Sequence, residues 1–354
     1  TRLDARSPRG AVRSLPVGAY CSGLYLALSA RALDMTEHTP ARQPSVDSLL
    51  DTPLQEAVPQ RSESVVAVVV TFQPELAALL LQIKALRPQV ARLVVVDNAS
   101  TADLAEWCRA AAPQVDAVLR MEHNLGIGGA QNHGIAWART QGASHVLLMD
   151  QDSVPEPGMV GQLLGALQAR PSAGAAGPLH ADPRQPIAHS PFVWLEGLRF
   201  RRLSCAPDVV HVVDHLIASG CLIPLAVLDQ VGAMRADWFI DFVDVEWSLR
   251  ARAAGWDLLG VCSARMAHGL GGPPIVFMGR RFLAYPPWRH YFQVRNAVLL
   301  YRQPFVPLRW ALASAWRLLM KIGFNCVAGR SRWQHFKATL LGLWHGACGR
   351  AGPL

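Results

Sequence analysis

Two aspartates one residue apart, Asp150 and Asp152, close the apolar run His145–Met149 and are followed at once by Pro155 and Pro157. A carboxylate at the end of a buried strand is costly unless something neutralises it. Hard oxygen donors in this arrangement suit Mg²⁺ or Mn²⁺, which is held by one or two carboxylates together with substrate phosphates. The chemistry on offer is therefore a divalent cation gripping a diphosphate. The competing reading is a solvated turn whose acids cap the helix after Pro155.

A second acidic group lies in "FIDFVDVEWSLR". Residues three apart share a helix face, whereas two apart diverge by about 200°. Asp241 and Asp244 are thus expected to point together into a cleft, with Asp244 as a proton acceptor, while Glu246 pairs with Arg250 one turn on. Against this stands an ordinary capping arrangement, Asp241 at the N-cap and Asp244 in the first turn. His268 in "ARMAHGLGG" is a further candidate cation ligand, although a lone histidine is more often a packed one.

The loop Asn124-Leu-Gly126-Ile-Gly128-Gly129 runs into a helix containing Asn132, and backbone N–H groups at such an N-terminus suit phosphate. A nicotinamide-dinucleotide fingerprint would place its glycines after the first strand and its acidic residue some twenty positions later. Here Asp97 precedes the glycines, and the order is wrong for that class.

The elements that must position these groups follow from hydrophobic patterning. "VVAVVVTFQP" from Val65, "RLVVVDNAS", "DAVLRMEHN" and "HVLLMD" read as buried strands, separated by helical stretches such as Leu76–Leu86. That alternation predicts βαβ units and a mostly parallel sheet whose ligands sit beyond the carboxyl ends of the strands. Thr71, Asp97, Asn98, His123, Asn124, Asp150 and Asp152 all fall at those ends. Beyond Gly158 the pattern predicts hairpin strands over 187–213, a buried strand in "LIASGCLIP", and a helix in "DWFIDFVDVEWSLRARAAGW" ending at Gly255.

The chain has 354 residues, a formal net charge of +8 and seven cysteines. The excess of cations points to an anionic partner. The scattered cysteines read as small buried hydrophobes in a reducing compartment, giving neither a disulfide framework nor a zinc site. Residues 1–64 are expected to form a disordered leader; Leu15–Ala30 is similar to a signal peptide, and an upstream extension ahead of Met35 is the reading preferred. From Pro286 the chain turns basic and aromatic, with apolar residues at helical spacing and Arg309, Arg317, Lys321, Arg330, Arg332 and Lys337 between them. Such helices suit an anionic membrane surface; an appendage packed on the catalytic domain is the rival. Nucleic acid is not expected, because acids at the strand ends would repel its backbone.

"VVVDNAS", "NLGIGGAQNHG", "LLMDQDS", "FIDFVDVEWSLRA" and "PPWRHYFQVRNAVLLYRQP" together resemble the family-2 glycosyltransferases, most closely the rhamnosyltransferases of bacterial surface-polysaccharide (O-antigen type) synthesis. The resemblance runs from about Val65 to the C-terminus. It implies an α/β GT-A fold: a Rossmann-like, mostly parallel sheet with flanking helices over 65–285, and a basic amphipathic helical region over 286–354. It implies inverting, metal-dependent transfer of L-rhamnose from dTDP-L-rhamnose to a hydroxyl of a lipid-linked glycan, peripheral to the cytoplasmic face of the inner membrane. The alternatives kept open are a glycolipid acceptor and a non-catalytic nucleotide- or membrane-binding protein.

Carried over by residue, the resemblance makes Thr71 and Asp97, with Asn98, nucleoside contacts. Asn124, Gly126, Gly128 and Asn132 would line the ribose and diphosphate. Asp150 and Asp152 match the metal motif, and His268 a metal-ligating histidine. Asp244 takes the place of the base, although the family's Glu-Asp pair is Val243-Asp244 here, and Asp241 stands beside it. Arg289, Tyr291, Arg295 and Asn296 correspond to a region near the diphosphate or acceptor.

Overall fold

The computed structural model describes residues 65–181, 191–268, 274–277, 280–283, 285–328 and 331–354; the expected leader lies outside them. The chain first alternates strand and helix: β1 (Val65–Thr71), α1 (Leu76–Leu86), β2 (Arg92–Asp97), α2 (Leu104–Ala111), β3 (Ala117–Arg120), α3 (Gly126–Thr140) and β4 (His145–Asp150). These four strands pair in parallel in the order β3-β2-β1-β4. The runs lack a polar position because both sheet faces are covered. Val66, Val68 and Val70 enter one core, Val65, Ala67 and Val69 the other, as the two-residue repeat of a strand requires. Each of these valines contributes roughly 1.5–3 kcal/mol when buried.

The second half adds β5 (Ser153–Pro155), α4 (Met159–Ala169), β6 (Ala173–Ala181), the hairpin β7 (Val193–Glu196) and β8 (Arg199–Arg202), β9 (Val210–Val212), β10 (Cys221–Pro224) and α5 (Leu225–Val231). Then follow α6 (Val243–Ala253), β11 (Asp257–His268), β12 (Pro274–Phe277), β13 (Arg280–Leu283), α7 (Pro287–Tyr301), α8 (Leu308–Ala328) and α9 (Arg332–Ala347). Among the described residues the main sheet has nine strands, in the order β3-β2-β1-β4-β10-β6-β11-β5, with β9 on β11. Strand β10 runs antiparallel between β4 and β6, so the sheet turns mixed just past the strand carrying Asp150.

Two expectations are corrected. The helix expected from Asp237 starts only at Val243, after a 3₁₀ turn at Ala236–Trp238. Phe239, Asp241 and Phe242 all have φ near +64°, a conformation that breaks a helix. The cysteines also do better than scatter: Cys205 and Cys262 form a disulfide across 57 residues. Pairing of β9 with β11 brings them together, Cys262 N donating to Val209 O. Of the others described, Cys108 and Cys221 are buried free thiols, as expected.

Helix α7 is buried along most of its length, polar side chains included. Helix α9 lies against it where Gly342 and Gly346 admit close approach; a Cβ on Gly342 would sit 2.9 Å from Tyr291 O. The opposite sides of α8 and α9 carry exposed Leu308, Leu312, Trp316, Leu319, Trp333 and Trp344. No helix among the described residues is long and apolar enough to cross a membrane.

Candidate active site

Register places the strand-end groups in a row. Thr71 pairs with Asp97, and Val70 with Asp150, across β2, β1 and β4. Asp97 is fully buried; its Oδ1 accepts from Ser100 N, while its buried Oδ2 has no partner among the described residues. A buried carboxylate oxygen left open in this way can accept from a ligand N–H. Thr71 turns inward instead, donating to Val96 O, so it supports the strand end. Asn98 holds the next turn: its Nδ2 donates to Asn124 Oδ1 and Gly126 O, and its Oδ1 accepts from Leu125 N.

The glycine loop also has a packing job. Gly126 has φ +74°, and a Cβ there would stand 2.3 Å from Phe239 O; at Gly128 it would stand 2.8 Å from Arg235 O. The glycines let the backbone of 235–240 cross the first turn of α3, and Ile127 N donates to Phe239 O. Asn132 completes the seam with two hydrogen bonds to the Met234 backbone. Asn124 Oδ1 accepts from Gly126 N. Asn124, Gly126, Gly128 and Asn132, the residues expected along the ribose and diphosphate, thus also dock the 234–240 segment.

Asp150 is buried and Asp152 half-buried in the turn between β4 and β5. Gln151 folds back, exchanging hydrogen bonds with Phe72 N and O, which leaves the two aspartates flanking a fixed turn. Strand β11 runs antiparallel to β5 with His268 opposite Ser153, so its backbone comes next to Asp152. Ser219, which sequence reading missed, accepts from Asp150 N and bonds Ser153 Oγ.

The neighbour of Ser219 reaches the other acid. Val245 N donates to Asp244 Oδ1 at 2.9 Å, and the Ala218 backbone lies near enough to help lower the Asp244 pKa. One two-residue segment therefore joins the Asp150 strand end to Asp244. Burial pushes the Asp244 carboxyl up to about 6, against those N–H donors and with the nearby Asp241 charge adding to the rise. No cation pairs with Asp244 among the described residues, whereas Arg289 grips Asp241 with two hydrogen bonds, 3.0 and 2.9 Å. Asp241 lies outside α6, whose N-cap is Phe242; neither the shared helix face nor the capping box describes this pair. Glu246 pairs with Arg250 as expected, but fully buried.

The residues of α7 stand beneath this loop. Asn296 Nδ2 reaches Trp238 O, Ile240 O and Asp241 O at 2.8–2.9 Å. Arg295 donates to Trp238 O, to Asn296 Oδ1 and to Gly352 O near the C-terminus. Tyr291 Oη bonds His345 Nδ1 on α9. Arg295 and Asn296 are fully buried and Tyr291 nearly so. In this structure the three residues, expected near the diphosphate or acceptor, support the 238–241 loop and the packing of α9.

Residues 64–217 match the family profile described as "Glycosyl transferase family 2". The chain carries a glycosyltransferase family 2 domain. Of curated relatives, a dTDP-rhamnosyl transferase, RfbF, from Shigella flexneri is 28% identical over 301 residues, covering 82% of this chain and 98% of the relative. A galactofuranosyltransferase, GlfT1, from Mycobacterium tuberculosis is 28% identical over 72% of this chain and 87% of its own. Among solved structures, GalNAc-T7 with UDP, GalNAc and Mn²⁺ superposes with a TM-score of 0.50 at 13% identity, over 75% of this chain and 57% of that one. This likeness shows the fold, which is GT-A.

In this glycosyltransferase the donor atoms near the strand ends fit a hard divalent cation. Asp150 and Asp152 supply oxygen, and the β5–β11 register sets the His268 backbone opposite Ser153. Among described side chains the one group of three potential ligand atoms within 4.8 Å of one another is Cys205, His211 and Cys262, and its two sulfurs are already bonded together.

Proposed function

We propose that this enzyme transfers L-rhamnose from dTDP-L-rhamnose to a hydroxyl of a lipid-linked glycan, with inversion, at the cytoplasmic face of the inner membrane. The observation that carries the chemistry is the environment of Asp244: desolvated, held by backbone N–H groups, unpaired with any described cation and titrating near 6. A general base needs a pKa close to the working pH and a geometry fixed in advance. Asp244 takes the acceptor O–H proton as that oxygen attacks the anomeric carbon from the face opposite the diphosphate. The new C–O bond forms, the bond to the leaving phosphate oxygen breaks, and dTDP departs with the electron pair. A divalent cation on Asp150 and Asp152, with His268, would stabilise the charge on the leaving diphosphate. The open oxygen of Asp97 fits the imide N–H of a pyrimidine base.

The rhamnosyl donor is supported by the relative from S. flexneri, aligned over most of both chains. Residence on a membrane surface is supported by the exposed stripes of α8 and α9, where leucines and tryptophans alternate with Arg309, Arg332 and Lys337. The test is transfer in vitro. Purified enzyme with dTDP-L-rhamnose, Mg²⁺ or Mn²⁺ and a lipid-diphosphate glycan in anionic vesicles should release dTDP and extend the acceptor by one deoxyhexose of inverted configuration. Release from a different nucleotide-sugar, with none from dTDP-L-rhamnose, refutes the donor assignment.

A further inference from the structure

Helix α8 has two faces. Leu308, Leu312, Trp316 and Leu319 look outward, while Trp310, Ser314 and Asn325 are buried. Lys321 lies on the inner side, half-buried, with its ammonium 4.5 Å above the Tyr285 ring. Arg289 stands against the same ring at 4.9 Å. Both cations are close enough to Asp241 to feel its charge.

The three charges do not balance. Arg289 spends two hydrogen bonds on Asp241. The Lys321 ammonium, though it lies within reach of that field, makes no hydrogen bond or ion pair with any described residue; it stands over the face of Tyr285. Burial lowers its pKa to about 8, with the Asp241 charge opposing and Arg289 adding to the fall. An ammonium withdrawn from water with three donors unused is expensive, and a cation–π contact returns only part of that cost. A ligand anion would complete it. Among the described residues, the titratable neighbour His290 has its pKa driven down to about 3 by burial, then by Lys321 and His335, so it stays neutral and adds no competing cation.

We infer that Lys321, carried by the C-terminal helices, is a substrate-binding residue that pairs with a phosphate group at the active site. Lysine serves phosphate as a compact point charge. Donor diphosphate and the phosphate of a lipid-linked acceptor share this chemistry. The inference rests on the proposed transfer for its substrates but not for its first test. α8 then has a double role, its outer stripe facing a lipid surface while its inner face reaches the Asp241 loop.

The experiment uses the full-length chain and inorganic pyrophosphate as probe, followed by calorimetry. Lys321→Met keeps the stem and its contact with Tyr285, and should weaken pyrophosphate binding about ten-fold or more. Lys321→Arg should retain it within about three-fold, and both variants should melt with the wild type. Equal pyrophosphate affinity in Lys321→Met and wild type overturns the inference, as does a wild type that takes up no pyrophosphate at millimolar concentration. Where binding falls, dTDP titration and the KM for acceptors with and without phosphate locate the partner. A loss confined to dTDP assigns the donor, a loss confined to the phosphorylated acceptor assigns the acceptor, and no change in either overturns the role. Weakened pyrophosphate binding in an enzyme that never uses dTDP-L-rhamnose sinks the donor assignment and leaves Lys321 standing.

Discussion

Arg289 donates two parallel hydrogen bonds to Asp241, at 3.0 and 2.9 Å, while Asp244 three residues later has only backbone N–H groups for company. Two acids of one short segment thus carry different chemistry. Asp241 is neutralised in place by a bidentate guanidinium and anchors the loop to α7. Asp244, desolvated, is left able to exchange a proton. Environments that separate a pair of carboxyls in this way are how acid–base roles are assigned within one site.

Asp244→Asn should lower kcat about 10³-fold, within the span that general-base removal usually costs, with donor binding kept. Its stability should move the other way. Asp244 has a folded pKa raised from 3.8 to about 6, so its ionised form opposes folding. The penalty is absent below the unfolded value, grows as pH rises from about 4 to 6, and is complete above 6. It is on the order of 3 kcal/mol. The asparagine variant should therefore melt at or a few degrees above wild type at pH 7.5, with the gap closing by pH 4. A destabilised, fully active variant would remove Asp244 from the chemistry.

The same group sets an acid limb. kcat/KM reports the free enzyme's essential groups, so its logarithm should climb with unit slope below about pH 6 and flatten above. Rates extrapolated for Asp244→Asn should lack that limb. A wild-type limb centred near 4 would mean that an ordinary solvated carboxylate, not Asp244, is being titrated.

Much of the fold was legible because its signal is local. Val65–Thr71, Leu76–Leu86 and His145–Asp150 are visible as runs or periods, and the strand ends follow from them. The 235–242 segment was not legible. Asp241, Asp244 and Glu246 sit at helical spacing, but the backbone between them is held left-handed by Asn296, 55 residues away from Asp241 in sequence. The packing role of the glycines of 126–128 was not legible either, because a turn that admits phosphate and one that admits a crossing backbone need the same missing Cβ. The Cys205–Cys262 pair escaped notice for a related reason, since its partners meet only when β9 lines up with β11. Ser219 and Lys321 carry no motif; they are found only by what stands beside them.

Asn296→Ala tests whether α7 acts through the loop. The amide serves three buried carbonyls over a stretch where Phe239, Asp241 and Phe242 are all left-handed. Each such residue stores about 1–3 kcal/mol that its surroundings must offset. Removing the amide should cost about 2–4 kcal/mol of stability and lower kcat at least ten-fold while leaving the donor KM within about two-fold, because Asp244 shifts but Asp97 does not. Asn296→Asp, which keeps the shape and loses the donors, should behave like alanine. A tenfold rise in donor KM with kcat preserved would instead restore Asn296 as a direct ligand contact.

Chelation tests the opening pair of acids. If Asp150 and Asp152 hold a divalent cation against the leaving diphosphate, EDTA should abolish transfer, and Mn²⁺ or Mg²⁺ should restore it. Mn²⁺ titrated with dTDP present should give a bound-ion spectrum by electron paramagnetic resonance. Asp152→Asn should weaken the ion at least ten-fold while sparing pyrimidine recognition, since Asp97 lies two strands away, with β1 between β2 and β4. Asp150→Asn should do the same with added instability, because Asp150 is buried and its backbone N–H is tied to Ser219. Full activity in EDTA, with Asp152→Asn indistinguishable from wild type, would move the stabilisation of the leaving group onto cationic side chains such as Lys321. The Lys321→Met variant should then lose turnover as steeply as Asp244→Asn does.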